Sequence, residues 1–558
     1  MSTVKRKLWS IHGGVHPPFH KDESTSLPIK DAGLPPQLVV SLHQHTGAAA
    51  EPVVKAGDKV SKGQIIATAV HQRISANIHA PTSGIVSAIE ERTLPHPSHL
   101  ADQCIVITPD GKETWVTDSS KGKLQAMPDF TQVDTETLLS QVQQAGIVGL
   151  GGAVFPTAVK ISGAKHNTID TFIINGAECE PYITCDDMLM RERSTEIIEG
   201  IRIIQHMVKP AKCLIGIEDN KPEAIQAMTQ ACKDDPDIEV VGIPTIYPSG
   251  DIKQLTKILT GIEIPAGTRS VNSGILGQNV GTVYSIYQAV VEGIPSISRI
   301  TTVTGNGVIQ PQNLEALIGT PFSWLAKQAG GLTKMADHLI MGGPMMGFAI
   351  NDDQIPMVKA TNCALFISST QLREANSAFS NQPTMPCIRC GKCMDACPVN
   401  LLPQQMYWHI RAKDFDKAQA HHLKDCIECG CCSYVCPSHI PLVDYYRFAK
   451  GEIRDQQEAQ KKADQARQRH EFLLFRKERD KRERAEKRAA HKAAMQNKKE
   501  AAAKARAAGE STAKPDAKDD AKADAIKAAV ARAKAKKQAR AKQAGQNEEQ
   551  TGRKKDEV

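Results

Sequence analysis

The chain has 558 residues, room for several domains at the usual ~100–200 residues each, with 69 Lys and Arg against 62 Asp and Glu and only 4% aromatic residues. No stretch reaches the ~20 predominantly apolar residues needed to cross a bilayer, and the start, MSTVKRKLWSIHGG, has no apolar h-region, so neither a spanning helix nor a secretory leader is expected. From Gly451 on, about 31 Lys and Arg face about 19 Asp and Glu, roughly +12 within a total of +7, which predicts a mildly acidic globular part and a basic tail.

In chain order, His12-Gly13-Gly14-Val15-His16-Pro17-Pro18 reads as a rigid turn before a metal site, because glycine and proline flank the histidines. AGDKVSKGQIIATA (56–69) and APTSGIVSAIE (80–90) form short alternating strands about glycine turns. They resemble the barrel-sandwich fold of lipoyl and biotinyl domains. Those carriers present a lysine on the hairpin between halves; none occurs from Gln64 to Pro81, so this module is expected to dock or pack.

From about 130 to 295, helices alternate with strands: a helix over Glu136–Ala145 and buried strands over Thr171–Asn175, Cys213–Ile217 and Ile238–Ile243. Gly149-Leu150-Gly151-Gly152-Ala153 precedes Val154-Phe155-Pro156-Thr157; its glycines let backbone approach a flat or phosphorylated ligand, and Lys160 is placed to neutralise a phosphate. It is not a Walker motif, which needs Gly-Lys-Ser/Thr. Asn175-Gly176-Ala177-Glu178-Cys179-Glu180-Pro181 and Tyr247-Pro248-Ser249-Gly250-Asp251 each follow a strand, where ligands collect in open α/β sheets. A solvated loop accounts for Glu178 and Glu180 taken alone. Three such clusters together predict one nucleotide crevice.

Over 296–370, RITTVTGNGVIQP predicts a strand ending in a Gly-Asn-Gly turn and PFSWLAKQAG a short helix. Met341, Met345 and Met346 are expected to fill gaps in the core.

Next come Cys387-x2-Cys390-x2-Cys393-x3-Cys397-Pro398 and Cys426-x2-Cys429-x2-Cys432-x3-Cys436-Pro437. Three thiolates on a tight turn converge on one cubane cluster, and the cysteine before proline serves the other. This assigns Cys387, Cys390, Cys393 and Cys436 to one [4Fe-4S] centre and Cys426, Cys429, Cys432 and Cys397 to a second. Structural zinc would instead show two Cys-x2-Cys pairs. Cys431, off the repeat, is expected to be an unligated neighbour. Gly391 and Gly430 let the chain wrap closely around sulfide. LLPQQMYWHIRAKDFDKAQAHHLKD reads as two helices, with Tyr407 and Trp408 shielding a cluster and His409, His421 and His422 as ordinary helix residues.

After about 450, i,i+4 pairs such as Glu478 with Arg482 and Glu483 with Lys487 favour helix. Ala501–Gln543 is too polar for a core and is expected to be disordered or a lone solvated helix. No aromatic platform accompanies the basic charge, so nucleic acid is not an expected partner. Phe472-Leu473-Leu474-Phe475 is the tail's one apolar spot and its expected docking point.

Gly149-x-Gly151-Gly152-Ala153-x-Phe155-Pro156-Thr157-x-x-Lys160, Asn175-x-x-Glu178-x-Glu180-Pro181, Tyr247-x-x-Gly250-Asp251 and Asn279-Val280-x-Thr282 resemble, in the same order, the flavin-bearing NADH-oxidising subunit of respiratory complex I. With GGVHPP, the lipoyl-like module, a β-grasp module and the twin cysteine runs, residues 1–450 resemble the RnfC (RsxC) family of the Rnf (Rsx) ion-translocating electron transport complexes. The resemblance implies FMN held by Gly149, Gly151, Gly152, Lys160, Asn175, Glu178, Asn279 and Thr282. It places NADH against Phe155, with Glu180, Tyr247 and Asp251 close by and Glu180 and Lys160 as the residues on which its oxidation depends. The complex I proteins carry an acidic residue where this chain has Ala177 and arginine where it has Leu150. AIKAAVARAKAKK (525–537) resembles Ala/Lys repeats in the tails of some family members.

The expected architecture is multidomain α/β and α+β: an N-terminal segment (1–34), a lipoyl-like barrel-sandwich (35–115), a Rossmann-like FMN/NADH domain (130–295), a soluble-ligand-binding β-grasp (SLBB) domain (296–370), a helical twin-cluster ferredoxin domain (371–450) and a helical or disordered basic tail (451–558). The expected activity is that of a translocase-type oxidoreductase subunit. A hydride carries two electrons and a cluster accepts one, so a flavin must convert between them, in the order NADH, FMN, first cluster, second cluster, partner. The partners expected are membrane subunits of the complex, a ferredoxin-like one among them, with this chain peripheral on the cytoplasmic face of the bacterial inner membrane. Two alternatives are a soluble flavin and iron–sulfur reductase, such as a cobalamin reductase, and an electron-relay scaffold that binds no NADH. Cluster potentials span about −700 to +450 mV, so direction is not legible.

Overall fold

The computed structural model describes residues 6–165, 167–375, 383–509 and 528–532. Residues up to Gln456 form one compact unit, and Gln457 onward a second.

The barrel-sandwich pairs a four-stranded antiparallel sheet, in the order Leu38–Ser41, Ala101–Pro109, Gly84–Thr93, Lys59–Val60, with a three-stranded one of Glu51–Pro52, Ile65–Thr68 and Ile78–His79. Alternation along the strands turns Val40, Ile66, Ile78, Val86, Ile105 and Ile107 into its core.

A four-stranded parallel sheet follows, in the order Ile238–Ile243, Lys212–Glu218, Thr171–Gly176, Ile275–Asn279. Both faces are covered, which is why its strands are nearly unbroken apolar runs. Phe172, Ile174 and Ile215 meet the helices Thr135–Gln144, Thr157–Lys165 and Ser194–Val208, while Ile173, Leu214 and Ile275 meet Leu255, Ile258 and Leu259 of the helix Ile252–Thr260. From Thr171–Gly176 the chain builds outward to one side and returns to the other with Ile275–Asn279. The topological switch point therefore lies between these two strands, where Asn175 and Asn279 stand in register.

The β-grasp module is a six-stranded mixed sheet, with Ser298–Thr304 between Gln312–Leu317 and Cys363–Ile367 and the helix Phe322–Gln328 packed on it. Its outermost strand is Lys30–Asp31, paired with Leu314 and Glu315. The N-terminal segment is thus a strap. Trp9 N–H donates to Ile258 O (3.1 Å), Val15 and Tyr247 exchange both backbone hydrogen bonds, and Lys30–Asp31 closes the far sheet. Met341 and Met345 are buried, but Met346 is 44% exposed, because the Gly342–Gly347 turn projects its side chain outward.

The cysteine module is helical: Lys392–Asp395, Pro403–Arg411, Phe415–Ala420 and Cys431–Tyr434 share one hydrophobic cluster with the start of Leu442–Ala507. Leu442, Val443, Tyr446, Ala449 and Ile453 of that helix are buried, and the Tyr446 hydroxyl donates to Pro403 O (2.7 Å). His421 and His422 lie past the helix expected to hold them: it ends at Ala420, and His422 is left-handed at φ 60°. Tyr407 is buried against the cysteines, whereas Trp408 is partly exposed.

In the second unit the helix continues to Ala507, and Phe472 to Phe475 are exposed. Its i,i+4 ion pairs are Arg479–Glu483 and Arg482–Glu486, in the opposite order to that expected, and such exposed pairs contribute little. Of the tail beyond Gly509, only 528–532 is described, and it is helical; most of the 525–537 repeat lies outside the described residues. Among the described residues, no helix is long and apolar enough to cross a membrane.

Gly13 tests the strap. It is left-handed (φ 60°), and a Cβ there would stand 2.7 Å from Ala396 O. Gly13→Ala is expected to cost about 1–3 kcal/mol and to speed hydrogen exchange around Ala396; unchanged exchange and an unchanged melting temperature would contradict this packing.

Candidate functional site

The glycine-rich loop reaches the switch point. Gly149 N–H donates to Phe155 O (2.9 Å) and closes it as a tight turn, with Phe155 half-buried. Leu150 is held at both ends, its N–H donating to Thr282 Oγ1 (2.8 Å) and its carbonyl accepting from Arg299 (2.9 Å). Gly151 passes so close to Asn279 that a Cβ would lie 3.1 Å from that residue's own, whereas Gly152 (φ 113°) faces open space. The Lys160 ammonium donates to Gly277 O and has no carboxylate partner among the described residues, and burial lowers its pKa to about 8.

Asn279 caps the helix Val280–Tyr287, its Oδ1 accepting from Gly281 N–H (2.9 Å) while its Nδ2 donates to Asp186 (2.5 Å). Asp186 N–H donates to Glu178 Oε1 (2.7 Å) and Asp187 N–H to Glu178 Oε2 (3.1 Å). Burial pushes Glu178 up to about 7, with Lys21 pulling the other way and Asp186 adding to the rise. Asn175 ties two strand-end loops together, its Nδ2 donating to Gly250 O (2.8 Å). Gly149, Gly151, Gly152, Lys160, Asn175, Glu178, Asn279 and Thr282 thus gather at the strand ends.

Three expected nucleotide contacts spend their side chains on the protein itself. Glu180 Oε1 accepts from Met345 N–H (2.6 Å) and Met346 N–H (3.0 Å) of the β-grasp module. The Tyr247 hydroxyl donates to Cys429 O (2.6 Å). Asp251 caps the helix Ile252–Thr260 through Lys253 N–H (3.0 Å) and Gln254 N–H (3.2 Å). An aspartate just before an apolar helical run is itself a cap signal.

The residue that sequence reading missed is Lys21. Its buried ammonium donates to Glu178 O (2.7 Å), Glu180 O (3.0 Å) and Ile183 O (2.6 Å), and burial lowers its pKa. No local pattern marks a partner more than 150 positions away. Asp186 and Arg299 were missed too, and both line a cleft of ≈ 390 Å³ that also touches Leu150 and Gly281. That cleft lies beside the glycine loop and includes neither Lys160 nor Glu180.

The two cysteine runs repeat each other in backbone as well as in spacing. Arg389 and Glu428, Gly391 and Gly430, and Asn400 and His439 all have positive φ at matching positions. Cys387, Cys390, Cys393 and Cys436 line one cavity of ≈ 410 Å³ whose other walls include Ile388, Tyr407, Ile440 and Leu442. The thiols that act on Cys432 are Cys429, Cys426 and Cys397, with Cys393 of the other quartet after them, and those that act on Cys393 are Cys390, Cys436 and Cys387. Amide groups already point at sulfur, Leu401 N–H at Cys397 (3.4 Å) and Glu428 N–H at Cys426 (3.4 Å). Two all-thiol quartets in apolar walls fit [4Fe-4S] chemistry. Cys431 is buried 3.9 Å from Tyr247 O.

The crevice also fits a flavin phosphate ester: open space over Gly152, an ammonium facing only a carbonyl, and two buried polar atoms, Thr157 Oγ1 and Gln278 Nε2, without partners among the described residues. A glycine loop at an α/β switch point joined to a twin-quartet helical module defines an electron-transfer protein that combines flavin and iron–sulfur centres. Family models agree: the RnfC barrel sandwich hybrid domain matches residues 9–112, the Nuo51 FMN-binding domain 142–288, the SLBB domain 300–349 and the 4Fe-4S dicluster domain 386–440. A protein of Yersinia pestis bv. Antiqua, named as the C component of an ion-translocating oxidoreductase complex, is 48% identical over 486 residues, 87% of this chain and 76% of its own. One of the same name from Vibrio cholerae serotype O1 is 48% identical over 479 residues, 86% of this chain and 60% of its own. The chain belongs to this RnfC family of ion-translocating oxidoreductase components. Among solved structures, an NAD+-reducing [NiFe]-hydrogenase in the H2-reduced state aligns over 56% of this chain and 62% of its own at 16% identity and TM-score 0.43.

Lys21→Met strands three carbonyls. The expected cost is about 1–3 kcal/mol, with faster hydrogen exchange confined to 178–184 and weaker flavin retention; a variant with native exchange there would show that the ammonium is dispensable.

Proposed function

We propose that this chain is the peripheral electron-input subunit of a membrane-bound ion-translocating oxidoreductase, taking electrons from NADH and passing them on through FMN and two [4Fe-4S] clusters. When bound, FMN exchanges a hydride with the nicotinamide and single electrons with a cluster, which is the conversion such a chain requires. The observation that carries the reading is the direct join between crevice and clusters, the buried Tyr247 hydroxyl bonded to the carbonyl of Cys429.

Each group has a task in this reading. The open space over Gly152 would let the loop's backbone approach the flavin, and Lys160 would supply the positive charge for its phosphate. Asn279 and Thr282 hold the loop and helix start in place through Asp186 and Leu150. Glu178, raised to about 7 by burial, would hold or release a proton near neutrality in the crevice. Phe155 offers the nicotinamide a face. Glu180 and Tyr247 act at the rear of the crevice, positioning its floor against the cluster module. Ion movement belongs to membrane subunits, a ferredoxin-like one among the partners, with this chain docked on the cytoplasmic face of the inner membrane.

Anaerobic addition of NADH to the purified chain, loaded with iron and flavin, is expected to bleach flavin and cluster absorbance together. Cluster absorbance that responds to dithionite but not to NADH would replace this reading with that of a relay.

Lys160 provides a pH test. Free, it loses its proton near pH 8, below the ordinary lysine range, and a phosphate favours the ammonium. FMN affinity, read by quenching of flavin fluorescence, is expected to weaken as pH rises above 8, by at most about tenfold per pH unit. Lys160→Gln is expected to bind about 10- to 100-fold more weakly and to lose the weakening above pH 8; an unchanged weakening there removes Lys160 from the phosphate.

A further inference from the structure

We infer that electrons meet the two clusters in the reverse of chain order: the quartet Cys397, Cys426, Cys429 and Cys432 is the inner station, facing the flavin crevice. The quartet Cys387, Cys390, Cys393 and Cys436 is the exit, whose exposed apolar rim receives a one-electron carrier protein. This rests on the reading of the chain as an NADH-to-cluster conduit.

The cysteine repeat is symmetric and its surroundings are not. Tyr247, Gln254, Met345 and the N-terminal strap all land on the inner quartet's loops. Tyr247, 1% exposed, bonds Cys429 O, and Cys431 fills the space behind it. Gly14 N–H donates to Ala396 O (3.1 Å), and Gln254 Nε2 to Pro398 O (3.2 Å), on either side of Cys397. Gly430 (φ 83°) passes so near Met345 that a Cβ would lie 2.7 Å from its carbonyl oxygen, and Met345 N–H is itself bonded to Glu180. Arg447 completes the seam by joining Glu428 (3.3 Å) to Met346 O (3.0 Å). A buried route thus runs from the 175–181 loop, through Cys179, Tyr247 and Met345, to Cys429.

The loop of the outer quartet, Met385 to Cys393, has none of this. Among the described residues, the hydrogen bonds of Met385–Cys393 stay inside the cysteine module, to Ser438 and Gln404. Cys390 is exposed where its repeat mate Cys429 is buried, and Gly391 has open space where Gly430 has Met345. Met385, Ile388 and Met394 are 58%, 67% and 45% exposed around it. Arg389 and Lys392 are exposed in the same stretch, with Asp395 the one acid. An apolar centre with a mainly basic rim suits a partner whose own redox centre sits at an apolar, acid-rimmed surface, in a small interface of the kind electron-transfer encounters use.

The balance is simple. Each NADH becomes NAD+, H+ and two electrons, and the electrons cross singly. Each one reduces the inner cluster by one, and that cluster is reoxidised as the outer cluster is reduced. The carrier protein then takes the electron, and two carriers are reduced per NADH.

Two readouts test this on the full holo chain. In the dithionite-reduced protein, a freely diffusing lanthanide chelate is expected to relax the EPR signal of one cluster and spare the other. Cys390→Ser should remove the relaxed signal and leave the spared one, and Cys432→Ser the converse. With NADH, the remaining cluster of Cys390→Ser should reduce at the wild-type rate, while that of Cys432→Ser, still reducible by dithionite, should slow at least 100-fold. The converse pattern in either readout overturns the order. If NADH reduces nothing in the wild type, the conduit reading fails, and the chelate experiment still decides which quartet is exposed. Met385→Glu with Met394→Glu, away from the crevice, should leave NADH bleaching intact and cut electron delivery to the rest of the complex at least tenfold; unchanged delivery overturns the exit face.

Discussion

One buried ammonium sets the geometry on which the crevice depends. Among the described residues Lys21 pairs with no carboxylate; three carbonyls of the 178–183 loop take its charge. A lysine in that position costs desolvation that only multiple acceptors offset. The loop in turn cannot relax without orphaning them. Glu178 sits left-handed at φ 46° and Tyr182 at φ 69°, conformations that persist only where surroundings over-determine them. With the backbone so held, Glu178 faces Asp186 on the crevice side and Glu180 faces the Met345 and Met346 amides on the other. Consecutive functions on opposite sides of one loop follow from that strain.

A second ammonium plays the same part between modules. Lys359 of the β-grasp module donates to Gly146 O (2.6 Å) of the flavin module and Asn77 O (3.4 Å) of the barrel-sandwich, its own N–H donates to Gln44, and its carbonyl accepts from Arg299. Burial lowers it to about 7. The lipoyl-like module, lacking a carrier lysine, is therefore a buttress: it fixes Gly146, three residues before the glycine loop, against the sheet that carries Arg299.

The parts legible from sequence are those whose cause is local. Ligand spacing within a run of cysteines is set by one turn of chain, and strands buried on both faces, such as Phe172-Ile173-Ile174, announce themselves by unbroken hydrophobicity. Asn279 and Asp251, read from the family resemblance as ligand contacts, also stand before apolar helical runs, a local signal for the caps they prove to be. What stayed hidden depends on long-range pairing. Lys21, Lys359 and Arg299 look like ordinary surface charges until the fold brings carbonyls to them. Glu180 and Tyr247 carry a family motif that points to nucleotide, while their hydrogen bonds, to the β-grasp and cysteine modules, exist only once three modules meet. Met346 looks like core by composition and is turned outward by glycines on either side of its turn.

The cysteine repeat shows why symmetry of sequence does not entail symmetry of function. Both halves share spacing, left-handed residues and a following proline, so either quartet has the same covalent geometry. Their difference comes from neighbours far away in the chain: Gly13 and Gly14 at the start, Tyr247 in the middle, Met345 between. Each presses on the second run or on Cys397 and none on Cys390. Burial and amide groups near sulfur are what set a cluster's potential, so the two centres experience different fields although their ligands repeat. An electron path needs such a gradient, with one end sealed against the donor and the other open to an acceptor. The strap that begins the chain seals the inner end.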